Sequence, residues 1–430
     1  MSRRLHRGDL LPEILVSPPG PKARAASARL RAAEAPGINT LYQDHDNIVW
    51  SEALGSNVLD VDGNRYIDLT SGFGVASIGH RHPKVVEALA QQGQRLIHAL
   101  GDAIGHGLRI DLAERLQELV PVDSPQVYFA ISGADAVEIA LKTAWLATGR
   151  QKILVFDPSY HGMTFGALAA TSRPAFRGPF VDHLTTHLER LPFGCEMDRI
   201  HDTLRSQHFA AVIVEPIVGR EGVLIPPSGW LKSLAEACRR SETLLIADEI
   251  FTGFGRTGKS FAVDHEGVRP DLLCCGKALA GGLPIGAVVG RRDLMQSWRT
   301  GGEAMHTATF VAHPLACATA LATLEVLYDS ELSERASRLE SEYFPRVRAF
   351  ERLSGVDSVR GRGLLWGLEL DHPQRAAQCV QRAWSKGLLM LAGGPEGRVA
   401  QLVPPLVIHR HQLDHTLECL ESILTSDTDP

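Results

Sequence analysis

Lys277 lies in the stretch Leu272-Leu-Cys-Cys-Gly-Lys-Ala-Leu-Ala-Gly-Gly-Leu-Pro284, with glycines on both sides and apolar residues around them. An amine in such surroundings is desolvated, which lowers its pKa and makes it a nucleophile for a carbonyl carbon. A lysine that only stretches its stem toward solvent does not need those glycines, which allow a ligand to come close. Upstream, Asp248-Glu249 sets two acids side by side. An acid such as Asp248 can hold a pyridine nitrogen protonated. Ser132-Gly133-Ala134 precedes an apolar run of helical spacing. Its free N–H groups and the helix dipole suit a phosphate, although Ser132 alone would pass for an ordinary N-cap. Tyr160 can stack on a flat ring, His161 follows it, and Glu215-Pro216 supplies one more acid.

The elements that must position these residues follow from the pattern between residues 125 and 330. Short apolar runs at 127–131, 153–156, 211–214, 244–247, 272–274 and 287–289 read as strands, and 134–148, 229–241 and 314–328 as helices. Strands separated by helices imply a parallel sheet covered on both faces. Ligands of such sheets bind beyond the carboxyl ends of the strands. Five strand ends deliver Ser132-Gly133-Ala134, Tyr160-His161, Glu215, Asp248 and Lys277 to that rim. A phosphate site, a carbonyl-seeking amine and a partner for a pyridinium together describe pyridoxal 5'-phosphate.

Around this unit, residues 57–69 read as a hairpin turning at Asp62-Gly63-Asn64, and a helix is expected from Pro83 to Leu100. A charged helix at 331–352 and strands at 364–370 and 399–403 make a smaller α+β domain. The expected organisation is an arm at 1–45, the first part of a small domain at 46–95, a large cofactor-binding domain at 96–328 and the rest of the small domain at 329–430. Ser17-Pro18-Pro19-Gly20-Pro21 suggests that the arm is mobile.

The 430-residue chain is 44% hydrophobic and 22% charged, as soluble globular proteins are, and its net charge is −6. No broad basic surface for nucleic acid is expected. The longest apolar stretch, 272–290, is broken by Lys277, Gly281-Gly282 and Pro284, so a membrane span is not expected. Seven cysteines without a CxxC pair read as reduced thiols in a cytoplasmic protein, and Cys274-Cys275 as buried small residues. His80-Arg81-His82 and His409-Arg410-His411 have metal-like spacing, but no cysteine or carboxylate completes either set, so no metal is expected.

Residues 45–410 resemble the class III, ornithine/4-aminobutyrate-like aminotransferases of fold type I. The matching stretches are Ile78-Gly-His-Arg-His-Pro83, Ser132-Gly-Ala-Asp-Ala-Val-Glu138, Ser159-Tyr-His-Gly162, Val214-Glu-Pro216, Leu245-Ile-Ala-Asp-Glu-Ile-Phe-Thr-Gly-Phe-Gly-Arg-Thr-Gly258, Gly276-Lys-Ala-Leu-Ala-Gly-Gly-Leu-Pro284 and Thr309-Phe310. The resemblance implies that Lys277 forms a Schiff base with pyridoxal phosphate and then carries the proton between substrate and cofactor. It implies that Asp248 pairs with the pyridinium nitrogen, that Gly133 and Ala134 hold the phosphate beside Ser132, and that Tyr160 stacks on the ring. His161 would support the site by a hydrogen bond, and Glu215 would orient or gate the substrate side. Thr309, with Thr307 as a fallback, would reach the phosphate of the neighbouring subunit in a homodimer. Arg256 would be structural. The implied reaction is a ping-pong transfer of an amino group, usually a terminal one, from an amine or amino acid to an oxo acid.

The chain departs from the family pattern at three positions. Gln401 stands where many relatives carry an arginine before Pro-Pro-Leu, and a neutral amide cannot make a charged bidentate contact. Either Arg398 or Arg220 replaces that cation, or the amino partner has no α-carboxylate there. Asp135 replaces the usual Glu, and His313 the usual Asn. A racemase, epimerase or aminomutase would need the same Lys277 and Asp248, so the motifs leave that alternative open. A non-catalytic regulator would need a DNA-binding segment that the short front of the chain lacks.

Overall fold

The computed structural model describes residues 4–38, 46–206, 208–299 and 301–426. After the arm the chain forms an antiparallel set, β1 (Trp50–Leu54), β2 (Asn57–Asp60) and β3 (Arg65–Asp68). The large unit contains β4 (Pro125–Ala130), β5 (Lys152–Asp157), β6 (Leu188–Pro192), β7 (Phe209–Val214), β8 (Leu244–Asp248), β9 (Leu272–Cys275) and β10 (Gly286–Arg291). The C-terminal region adds β11 (Val356–Arg362), β12 (Leu365–Leu370), β13 (Leu388–Leu389), β14 (Leu391–Gly393) and β15 (Val399–Leu402).

The seven-stranded sheet has the order β4-β10-β9-β8-β7-β5-β6. It is not wholly parallel: β10 runs antiparallel to both β4 and β9. The turn at Gly281-Gly282 and Pro284 sends the chain straight back beside β9 with no full crossover helix between, so β10 must reverse. All five strands with a polar successor still point the same way, and their carboxyl ends form one rim.

Alternation along the central strands divides the interior into two. Ile153, Val155, Ala211, Ile213, Ile246 and Leu272 pack with Val137, Ile139, Ala140 and Ala144 of the Gly133–Thr148 helix. Leu154, Phe156, Val212, Val214, Leu245 and Leu273 face the opposite side, against the Pro314–Asp329 and Trp230–Arg240 helices. Each Val, Leu, Ile or Phe among them contributes roughly 1.5–3 kcal/mol on burial. Cys274 and Cys275 fall on opposite faces, both buried, and all seven cysteines are free.

β11-β12-β15-β14 forms a second sheet, and β13 joins β3 in parallel, Leu388 opposite Ile67. The described part of the arm is not loose. Residues 21–33 are helical, Glu13 pairs with Arg65 in both directions, and Leu5 and Ala23 are buried. Asp62 in the hairpin turn accepts from the N–H groups of Lys22 and Ala23, which fastens the start of the arm helix. Residues 39–45, where the arm gives way to the hairpin, lie outside the described residues.

Candidate active site

The Gly133–Thr148 helix starts at β4's end because Ser132 Oγ caps the N–H of Asp135 at 3.1 Å, while Asp135 Oδ2 reaches back to the N–H of Ile131 at 2.9 Å. The other Asp135 oxygen accepts from His306 Nε2 at 2.9 Å, and Lys142 Nζ contacts His306 Nδ1 at 2.8 Å. Asp135 is therefore a second cap and a tie to the 301–310 loop. Among the described residues, the N–H groups of Gly133 and Ala134 have no protein acceptor. A Cβ on Gly133 would stand 3.0 Å from Ile250, so that turn has room for a ligand only while it lacks a side chain.

Asp248 ends β8 and is 4% exposed. Its Oδ2 lies 2.7 Å from His161 Nδ1, and its Oδ1 accepts from the N–H of Ile250 at 3.2 Å. The expected supporting role of His161 thus takes a definite form, a buried histidine–carboxylate pair. The other ring nitrogen, Nε2, is buried with no partner among the described residues.

Lys277 follows β9 and Gly276, with a positive φ of 40°. Its ammonium lies 4.2 Å from the centre of the Phe251 ring. Burial lowers its pKa to about 8, against the pull of the Asp248 and Glu215 carboxylates. Gly74, from the segment after β3, comes so close that a Cβ there would meet Phe251 at 2.9 Å and the Lys277 stem at 3.6 Å.

Glu215 is buried, and both of its oxygens are used: Oε1 accepts from the Tyr160 N–H at 2.7 Å and Oε2 from the Gly219 N–H at 3.1 Å. Burial pushes its pKa up to about 7, with Asp248 adding to the rise. It braces two cavity walls.

Gly133, Ala134, Tyr160, His161, Glu215, Arg220, Asp248 and Lys277 line one cavity of about 480 Å³, together with Met163, Thr164, Ile250 and Phe251. Pockets of this volume suit small cofactors and their substrates. Phe251 and Ile250 were not singled out in the sequence, although they directly follow the Asp-Glu pair.

Ser132, expected beside the phosphate, does not line the cavity, its Oγ being used as the helix cap, and three further expected site residues lie elsewhere. Arg398 faces a different cleft, where it pairs with Glu369 at 2.9 Å, Glu396 at 3.3 Å and Asp357 at 3.4 Å. Gln401 does not line the cavity. Its Nε2 donates to the carbonyls of Gly219 at 3.0 Å and Arg220 at 3.4 Å, so it holds the loop that carries Arg220. Thr309 is exposed on the 301–310 loop, outside the cavity of its own chain, and Thr307 lines a second cavity with Tyr128 and Arg109. Arg256 is buried and donates to Leu364 O, Pro404 O, Ser71 Oγ and Ser77 Oγ, which makes it a clamp between the two parts of the chain.

The residues fit pyridoxal phosphate. A helix N-terminus has unused N–H groups, a buried carboxylate is fixed by a histidine, and a buried amine shares their cavity. Residues 40–424 match the family Aminotransferase class-III. The chain is a class III aminotransferase. It is 39% identical to the acetylornithine aminotransferase of Methanothermobacter thermautotrophicus, over 88% of this chain and 94% of that one. It is 36% identical to the 2-aminoadipate transaminase of Pseudomonas putida, over 88% of this chain and 95% of that one. The crystal structure of the ornithine aminotransferase from Toxoplasma gondii superimposes with a TM-score of 0.86 at 32% identity, covering 94% of this chain and 95% of that one. The aminotransferase depends on pyridoxal 5'-phosphate, has the fold-type I architecture of its family and acts on amino and oxo acids. The transaminase reading is the one these relatives carry, rather than the isomerase reading. Among its described residues no helix is long and apolar enough to cross a membrane, and no group of three or more His, Cys, Asp or Glu is placed to hold a metal ion.

Proposed function

We propose that Lys277 and Asp248 form the reaction centre of this aminotransferase, and that it moves the terminal amino group of an amino acid to an oxo acid in two half-reactions. The observation that carries this reading is a buried amine sharing one cavity with the Asp248–His161 pair and the open end of the Gly133–Thr148 helix. Bound pyridoxal phosphate supplies a carbonyl that an amine can join and a ring that takes up the electron pair released at the adjoining carbon. Lys277 Nζ, neutral above about pH 8, would be the amine available to that carbonyl and, when free, the base placed to hold a proton beside it. Asp248 would offer its charge to the ring nitrogen, with His161 holding the carboxylate in place. Gly133 and Ala134 would hold the phosphate with their N–H groups, and Tyr160, its N–H bound by Glu215, would offer its ring as a wall for the cofactor.

The names of the relatives support the choice of substrate. Acetylornithine and ornithine carry an amine on the side chain, whereas the relative named for 2-aminoadipate, whose amine is on the α-carbon, supports a carboxylate-bearing substrate but not the terminal position. The active unit is a homodimer in which Thr309 completes the neighbour's phosphate site. Ile97, Leu100, Ile104, Ile110 and Phe310 are exposed large apolar residues, and Gly101 and His98 of the same stretch lie against Thr309 and Phe310, which supports this. Sedimentation at the mass of two chains is the check. Free cysteines throughout support a cytoplasmic location.

The experiment is borohydride reduction of the cofactor-loaded enzyme, followed by peptide mass analysis. The cofactor's mass is expected on the peptide containing Lys277. Recovery of an unmodified Lys277 peptide would overturn the assignment.

A further inference from the structure

We propose that Arg220 is the carboxylate anchor of the cavity, so that both amino donor and acceptor must carry an anionic group that meets its guanidinium. This rests on the amino-transfer reading of the cavity and adds what the substrate must present to it.

Three observations lead there. The first is that Arg220 lines the cavity, and its Nε is buried without an acceptor. The second is that, among the described residues, its charge meets rings rather than acids: the guanidinium carbon is 4.7 Å from the centre of Tyr160 and 5.2 Å from that of Phe176. The neighbouring carboxylate does not neutralise it, because Glu221 is held by Arg173 at 2.9 Å, and Arg173 covers Phe176 as well. Among the described residues no carboxylate forms an ion pair with Arg220. A half-buried cation without a counter-ion is costly for a protein to maintain, and burial already lowers its pKa.

The third observation is that the head is held ready. The Arg220 carbonyl accepts from the Gly394 N–H at 3.1 Å, and Gln401 Nε2 donates to the carbonyls of Gly219 and Arg220. With its backbone clamped and its plane stacked on aromatic rings, the guanidinium needs little ordering to take a carboxylate through two parallel N–H donors. Lys277 is the other cation of the cavity, and it is committed to the cofactor.

The test compares the loaded wild type with Arg220→Gln and Arg220→Lys. Donors are paired, 4-aminobutyrate against butylamine and 5-aminovalerate against pentylamine, and glutarate, which has no amine, is titrated by calorimetry. In Arg220→Gln the kcat/KM preference for the amino acid over its matching amine is expected to fall about 10–100-fold, mainly through KM, with glutarate affinity falling alongside. Arg220→Lys, which keeps the charge but loses the planar fork, should recover part of both. An unchanged preference with unchanged glutarate affinity overturns the proposal. So does an equal loss on amino acid and amine with glutarate binding intact, which would make Arg220 structural. Should the wild type convert no donor, the amino-transfer reading fails, while a glutarate loss confined to the Arg220 variants still upholds the anchor.

Discussion

Two clefts lie on either side of the 219–224 loop, and both are built from acids and cations. In the cleft around Arg398, every charge is answered by another: Arg360 meets Glu369 at 2.6 Å, and Arg398 meets Glu369, Glu396 and Asp357. Burial works to raise the Glu369 carboxyl, but the hydrogen bond from Arg360 and the charge of Arg398 override it and hold it below its ordinary value. In the cavity around Lys277 the balance is reversed. Glu215 is pushed up to about 7 and Lys277 down to about 8, each chiefly by burial, while His161 Nε2 and Arg220 Nε lack partners among the described residues. The same residue types give a closed network in one place and an unsaturated one in the other. The unsaturated cavity is the one with chemistry to offer.

Substitutions can break this contrast, and the largest effect is expected at Lys277. Lys277→Ala should lower amino transfer on the order of 10⁴-fold, measured as single-turnover conversion of loaded cofactor by an amino donor. Asp248→Asn comes next. It keeps the shape of the Asp248–His161 pair and removes the charge, so a fall of about 10²–10³-fold in kcat is expected, with little change in melting temperature. A pH series sharpens the contrast further. Only the neutral amine attacks a carbonyl, so the rate of covalent cofactor loading should rise with pH through a midpoint of about 8 and then level off. In Asp248→Asn the midpoint should move lower, because one of the two carboxylates that favour the ammonium is gone. A midpoint near the ordinary lysine value would show that burial does not tune this amine. The smallest effect belongs to the other cleft. Arg398→Gln should change kcat/KM less than twofold and stability by about 0–1 kcal/mol in a denaturant titration, as partly exposed ion pairs do.

Much of the site was legible because its parts follow strands. Asp248 and Glu215 stand at the ends of runs such as Leu244–Ala247 and Ala211–Val214, whose unbroken apolar character marks strands buried on both faces. Lys277 was legible from its flanking glycines. Strand β6 was missed because Leu-Glu-Arg-Leu-Pro is an edge strand, carrying charge and a proline where central strands carry Val and Ile. The reversal of β10 was missed because strand direction depends on the connection rather than on the strand's own residues. Arg398 and Arg220 were indistinguishable in sequence. Which of them enters the cavity depends on the partners folded beside each, Glu369 for one and aromatic rings for the other. The arm misled through its prolines, which here lead into a helix fastened by Asp62 forty residues away rather than into a loose tail.

The parallel pairing of β13 with β3 joins Leu388 to Ile67 across most of the chain. During synthesis the β1–β2–β3 set therefore keeps an open edge until the chain has been made through Leu389, more than three hundred residues after Asp68. Pairing over such a separation is of the long-range kind that is slow and prone to capture by other strands. Translation stopped short of Leu388 leaves that edge bare, so a sheet begun at Trp50 is closed only by a strand from the far side of the large unit.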